Sequence, residues 1–171
     1  QIIATYTDQA RTTLLAVKVI ENSGITSAGN VGTSVTTTYA SCTIAGDGTG
    51  EIAIATASAI ERQTVVSVAV DRRGNALQQT VRREYYDVSV NGFAFSEYQV
   101  IVNSGFDLHD RMQMTKIKSY DDAAGTKFLK LQVIEYQKYD RFGNVEDQTI
   151  KTYSNEAGTI LVSYSVLHNT Y

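Results

Sequence analysis

The chain has 171 residues, 43% of them hydrophobic, and its 15 Lys and Arg against 18 Asp and Glu leave a formal net charge of −3 at pH 7. That length suits one large domain or a short repeat array and is enough to bury a core. The charge gives no electrostatic case for nucleic acid, no apolar run reaches the length that spans a membrane, and Cys42, the only cysteine, excludes an intrachain disulfide.

Composition points to strands. Val, Ile and Thr supply 50 of the 171 residues, and these residue types fit pleated surfaces. There is no Pro, where average usage would give about eight. Every backbone N–H is therefore available for ladder pairing, and one device that blunts sheet edges is missing. The expected fold is all-β: antiparallel hairpin repeats forming a β-sandwich or a stacked-sheet repeat array. Residues 1–171 read as a single domain with little or no helix.

In chain order, Gln1, Ile2, Ile3 and Tyr6 read as a return strand, followed by a small turn at Thr7 to Thr12. Asp8 to Glu21 is the longest helical candidate, but Thr12, Thr13 and the alternation of Leu15, Val17 and Val19 favour a strand. The first hairpin spans about 14–39, with a turn at Thr26-Ser27-Ala28-Gly29-Asn30 and a closing Tyr39. Residues 43–51 read as a loop insertion. Its Gly46-Asp47-Gly48-Thr49-Gly50 run lacks the Lys and the following helix that a phosphate loop needs.

Three further hairpins follow, at about 62–85, 97–120 and 129–153. Their turns are Asp71-Arg72-Arg73-Gly74-Asn75, Asp107-Leu108-His109-Asp110-Arg111 and Asp140-Arg141-Phe142-Gly143-Asn144. The four first positions lie 45, 36 and 33 residues apart, a spacing that marks a repeat architecture. Asp at the first position accepts backbone N–H groups of its own turn. Gly29, Gly74 and Gly143 supply a left-handed conformation, and Asp110 replaces them as one of the few other residues that accepts it. Asn30, Asn75 and Asn144 are expected to tolerate the same region.

The flanking runs alternate as half-buried strands do: Val66, Val68 and Val70; Tyr98, Val100 and Val102; Leu129, Leu131 and Val133. The apolar parity flips at Val133-Ile134, which predicts a β-bulge there. The closing Tyr39, Tyr85, Tyr120 and Tyr153 are expected to stack along one face of a shared sheet. A second small turn follows Tyr120 and Tyr153, in Asp121 to Thr126 and Ser154 to Thr159.

Sites for chemistry are scarce. His109 sits in a turn and His168 near the C-terminus, neither in a metal-ligand spacing with Cys42. The Asp turns lack the dense carboxylates of a calcium loop. No catalytic residue, cofactor or metal is predicted, and the chain reads as a non-enzyme. Arg72, Arg73, Arg82 and Arg83 read as solvent-facing residues balanced by Asp71, Glu84 and Asp87.

Tyr139-Asp140-Arg141-Phe142-Gly143-Asn144-Val145 and Val70-Asp71-Arg72-Arg73-Gly74-Asn75 resemble the YD repeats of Rhs and teneurin-type secreted proteins. The resemblance covers about 14–39 and 62–164, and the family's repeats are shorter than the spacings here. It implies hairpins built into extended sheets on or outside cells. Three functions are consistent with these readings. The first is a structural subunit of an extracellular filament or surface appendage, self-associating by strand addition. The second is an internal segment of a larger YD-like surface protein. The third is a β-sandwich adhesin or carbohydrate-binding module. The first rests on the ends: Leu161, Val162, Tyr164 and Val166 align with the outgoing strand of copy four, and Gln1, Ile2, Ile3 and Tyr6 with its return strand. The C-terminal strand of one subunit is then expected to pair with the N-terminal strand of the next, without nucleic acid or membrane insertion.

Overall fold

The structure, a computed structural model, describes residues 1–10, 13–44 and 52–171. It is all-β. The strands are β1 (Ile2–Tyr6), β2 (Leu14–Ser23), β3 (Thr33–Tyr39), β4 (Cys42–Ile44), β5 (Ile52–Ile54), β6 (Ala59–Val70), β7 (Ala76–Asp87), β8 (Gly92–Ser104), β9 (Met114–Tyr120), β10 (Phe128–Tyr139), β11 (Val145–Tyr153) and β12 (Leu161–His168). One 3₁₀ turn, Thr56–Ser58, precedes β6. Ten strands form an antiparallel sheet in the order β1-β2-β3-β6-β7-β8-β9-β10-β11-β12, and β4 and β5 form a separate two-stranded ribbon.

Within the helical candidate over Asp8 to Glu21, the residues from Leu14 on form strand β2, whose Val17 is fully buried, while Arg11 and Thr12 lie outside the described residues. The expected insertion at 43–51 is in part the β4–β5 ribbon, with Cys42 opposite Ile54. The Gly-rich run from Gly46 to Gly50 lies outside the described residues.

Where the repeat reading treats 1–171 as one domain, the contacts divide the chain into two compact units. Unit 1 is Gln1–Val65 with Arg82–Ser96, and unit 2 is Val66–Val81 with Glu97–Tyr171. In unit 2 every described strand belongs to the one sheet. Its ladder places Val102, Lys116, Val133, Lys151 and Tyr164 in one row across five strands, and Ile134, Ile150 and Ser165 in a row of opposite parity. Apolar side chains thus occupy both faces. Long Lys side chains lie between the valines, where their stems can cover apolar neighbours while the ammonium stays in water. Among the described residues only Val17, Val81, Tyr120 and Leu131 form a buried apolar core, whereas Val68, Val102, Leu129 and others along the strands stay exposed. Cohesion therefore rests more on cross-strand pairs than on a deep core.

Two expectations are corrected here. No bulge occurs at Val133-Ile134: Val133 pairs with Lys151 and Ile134 with Ile150 in unbroken register, and the shifts fall between Tyr136, Lys138 and Tyr139. The parity flip needs no bulge because the sheet carries apolar groups on both faces. The closing tyrosines do not stack on one another either. Among the described residues, Tyr120 alone of the four makes ring contacts, with Tyr98 and Phe128, each at 6.1 Å between centroids. Tyr85 is half exposed. Tyr153 lies opposite Leu131 and Leu161, and Tyr39 opposite Val17, so their strand neighbours are aliphatic.

Candidate functional site: the Asp turns and the sheet edges

Because each strand pairs with its chain neighbours, alternate hairpins open toward opposite ends of a sheet. In unit 2 this gathers the turns at 71–75, 107–111 and 140–144 at one end. All three share one backbone pattern. The first residue's N–H donates to the fifth residue's carbonyl at 2.9 Å for Asp71, 3.0 Å for Asp107 and 2.9 Å for Asp140. The fourth residue's N–H donates back to the Asp carbonyl at 3.1–3.2 Å. The turn at 26–30 in unit 1 has the same pattern, with the hydroxyl of Thr26 accepting the Asn30 N–H at 3.1 Å.

The carboxylates hold these turns from inside. Asp71 Oδ1 accepts the N–H groups of Arg73 and Asn75, Asp107 Oδ1 those of His109 and Arg111, and Asp140 Oδ1 those of Phe142 and Asn144, all at 2.8–3.0 Å. The fourth residue is left-handed in every copy: Gly29 at φ 84°, Gly74 at 91°, Asp110 at 61° and Gly143 at 88°.

The fifth residue works differently from the expectation. Asn30, Asn75 and Asn144 do not adopt positive φ. Instead Asn75 and Asn144 donate their side-chain amides to Oδ2 of their own Asp at 3.0 and 2.9 Å, and Arg111 does so through Nε at 2.7 Å. The fifth position is chosen for a donor that reaches back across the turn. Thr26 has only one side-chain oxygen to offer Asn30, already used by the backbone.

These donors stabilise the ionised carboxylates. The Arg111 guanidinium, helped by the turn N–H groups, lowers the pKa of Asp107 to about 2. The Asn75 amide holds Asp71 below its ordinary value. At Asp140 burial works upward, and the hydrogen bonds from Asn144, Phe142 and Gly143 together outweigh it.

Neighbouring turns also meet. Arg73 Nη1 donates to the Asp107 carbonyl at 2.9 Å and pairs with Asp110 Oδ1 at 3.0 Å, while Asn75 Nδ2 reaches the same oxygen at 2.8 Å. Sequence reading missed this link, although the single departure from Gly at the fourth position was its signal. Between turns 107–111 and 140–144 lies a cavity of about 210 Å³ lined by His109, Arg111, Arg141, Phe142 and Gly143.

Arg72, Arg73, Arg82 and Arg83 are all exposed, as expected, but the acid that balances Arg82 is not. In unit 1, Glu84 is only 5% exposed. It takes Arg62 Nε at 2.7 Å and Arg82 Nη2 at 3.0 Å, and the Arg62 guanidinium stacks 4.3 Å above the Phe93 ring.

The strands singled out for subunit contact are the sheet's two edges. β1 pairs only with β2, and β12 only with β11. Gln1 extends β1 through hydrogen bonds with Ile20, of 2.8 Å from its ammonium and 2.7 Å to its carbonyl. Ile2 and Ile3 of β1, and Leu161, Val162, Tyr164 and Val166 of β12, are all exposed. Tyr6 lies opposite Leu14 and Tyr153 opposite Leu161, each beside a register shift, so the two edge hairpins share one design. Backbone bonds repeat it: Thr7 N–H to Thr13 carbonyl and Ser154 N–H to Ile160 carbonyl, both 3.0 Å. Cys42 is half-buried, and His168 Nδ1 contacts Asp147 at 2.5 Å. No group of three or more metal-ligating side chains occurs among the described residues.

No protein-family model matches the chain, and no curated protein matches it. Among solved structures, the chain is similar to a protein of unknown function from Bacteroides fragilis NCTC 9343, at 10% identity and a TM-score of 0.45, over 88% of this chain and 91% of that one.

Proposed function

We propose that this protein is a structural β-sheet subunit of an extracellular filament or surface appendage, without catalytic activity, that associates with copies of itself edge to edge. The observation that carries this reading is the pair of open edges, β1 and β12. Both are free of Pro, and β12 exposes Val162, Tyr164 and Val166. An unpaired strand of this kind is a template for another chain.

The register follows from the repeat. β12 aligns with β10, and β1 with β11. Transferring the β10–β11 pairing, in which Leu131 faces Tyr153 and Val133 faces Lys151, sets Tyr164 of one subunit opposite Tyr6 of the next and Val166 opposite Ala4. Contact between two different edges is head-to-tail and builds open arrays. The extracellular setting rests on the resemblance to YD repeats.

Deleting Gln1–Thr7 removes the accepting edge. In negative-stain microscopy and sedimentation, the parent is expected to form filaments and the deletion variant to remain dispersed. Filaments of the deletion variant like those of the parent, or a parent that stays monomeric at high concentration, would sink the proposal.

A second reading has its own support. The two edge hairpins share the closing backbone bond found at 121–127, where the Asp121 N–H meets the Lys127 carbonyl at 2.9 Å. A closing bond that recurs at both edges also suits an internal segment of a longer YD-like surface protein. Detection of the native polypeptide far above 18.8 kDa on a denaturing gel would favour that reading.

A further inference from the structure

The three Asp turns of unit 2 leave two gaps between them, and the two are closed differently. In the first, the carboxylate of Asp110 receives Arg73 at 3.0 Å and Asn75 at 2.8 Å. In the second, His109 stands at the place of Arg73, and Arg111 at the place of Asn75. Gly143 stands where the acceptor Asp110 would be. The donor side is repeated and the carboxylate is missing. This second gap is the cavity of about 210 Å³.

The groups around it suit an anion. Arg111 engages Asp107 through Nε and Nη2, both at 2.7 Å from Oδ2, and its guanidinium lies 5.3 Å over the Tyr139 ring, while Nη1 makes no hydrogen bond among the described residues. The Arg141 guanidinium lies 4.5 Å over the Phe142 ring and has no carboxylate partner among the described residues. The acids of the two flanking turns are engaged: Asp107 and Asp140 are turned onto the amides of their own turns, and Asp110 onto Arg73 and Asn75. Phe142 is 75% exposed and offers a flat apolar surface beside the charges. Apart from Gly143 and its two chain neighbours, no atom lies within 4 Å of the point where a Cβ would stand at Gly143, so the acceptor's place is open.

We propose that this cavity binds the carboxylate of a small ring-bearing organic acid, seated where Asp110 sits in the neighbouring gap. Arg111 and Arg141 supply the charge, and a guanidinium pairs with a carboxylate in matched, bidentate geometry. His109 adds a ring nitrogen, and Phe142 packs against the ligand's ring. The inference concerns the turn end of unit 2 and does not depend on assembly through the edges.

The test is calorimetric titration, with amide chemical-shift mapping, using benzoate and glucuronate as probes and benzyl alcohol and glucose as neutral counterparts. The two acids separate a free aryl acid from a carboxylated sugar. At least one acid is expected to bind one site with a Kd of about 1 mM or tighter, shifting the Arg111, Arg141 and Gly143 amides. Gly143→Asp installs the missing carboxylate, in a turn whose third copy already tolerates left-handed Asp, and is expected to weaken binding at least about tenfold. Arg141→Gln, at an exposed position, is expected to do the same. Asp110→Gly opens the first gap and is expected to raise the stoichiometry from one site to two. The proposal is overturned if neither acid shifts these amides, if the neutral counterparts bind as well, or if folded Gly143→Asp and Arg141→Gln bind like the parent.

Discussion

Glu84 in β7 and Glu135 in β10 each pair with a cation on a neighbouring strand, Glu84 also with Arg82 of its own strand, yet they sit in different surroundings. Glu84, in unit 1, is 5% exposed and held by two arginines, one of them stacked on Phe93. Glu135, in unit 2, pairs with Lys151 at 2.9 Å and accepts the Thr149 hydroxyl, with a third of its side chain in water. The same chemistry carries different weight. Removing one partner of a buried pair strands the other, whereas water solvates whatever an exposed pair leaves behind. In a protein with so few buried apolar side chains, the Arg62–Glu84–Arg82 cluster is one of the few polar arrangements shielded enough to matter greatly for stability.

Substituting Glu84 breaks the comparison most directly. Glu84→Gln is expected to cost about 2–3 kcal/mol in chemical denaturation, because two guanidinium groups lose their charged acceptor. A loss below that of Glu135→Gln would mean burial does not set the difference.

Gly143 and Gly125 extend the comparison to backbone positions. Gly143→Val is expected to cost about 1–2 kcal/mol from backbone strain alone, since φ is 88° and no atom crowds the added carbon. At Gly125, φ is 69° and the Tyr98 ring lies 3.1 Å from the added Cβ, so even Gly125→Ala should cost at least about 1 kcal/mol. Equal melting temperatures for parent and both variants would show that neither conformation is required.

Acid sharpens the contrast between the two glutamates. Arg62 holds Glu84 below its ordinary 4.5, and Lys151 lowers Glu135. A carboxylate whose folded pKa is lowered stabilises the protein above its unfolded value, and that contribution fades as pH falls through the folded value. Stability is therefore expected to fall below about pH 4.5, with Asp107 adding its share between 3.8 and about 2. In Glu84→Gln the slope of stability against pH over the upper part of this window should flatten, measured by denaturation at a series of pH values. An unchanged slope would contradict the role given to Glu84.

The smallest effect belongs to Glu135→Gln. A third in solvent and screened by salt, its pair with Lys151 is expected to contribute at most about 1 kcal/mol, falling further at high salt.

Much of the fold was legible in the residues. Asp or Thr at the first turn position, Gly at the fourth and strands of alternating Val, Leu and Tyr encode local geometry, and local geometry is set by a few consecutive residues. Hence the four turns and most strands stood in plain view. The parity flip at Val133-Ile134 implies a bulge only in a sheet with one apolar face, and this sheet carries apolar groups on both. The candidate cavity was not legible. Its donors lie in turns 33 residues apart, and only Asp110, standing where the other copies carry Gly, hinted at it.

The sequence by itself determined the strands, the hairpin turns and the residues that close them, because backbone conformation and short-range hydrogen bonds depend on neighbours in the chain. Only the tertiary structure decided which carboxylates are buried, which turns meet and which edges stay open. Those outcomes depend on strand order and register, which bring distant residues together. Glu84 and Glu135 are the same residue type; Arg82 stands beside Glu84 in the sequence, but Arg62 and the Phe93 ring stacked on it reach Glu84 only through strand pairing, as Lys151 reaches Glu135.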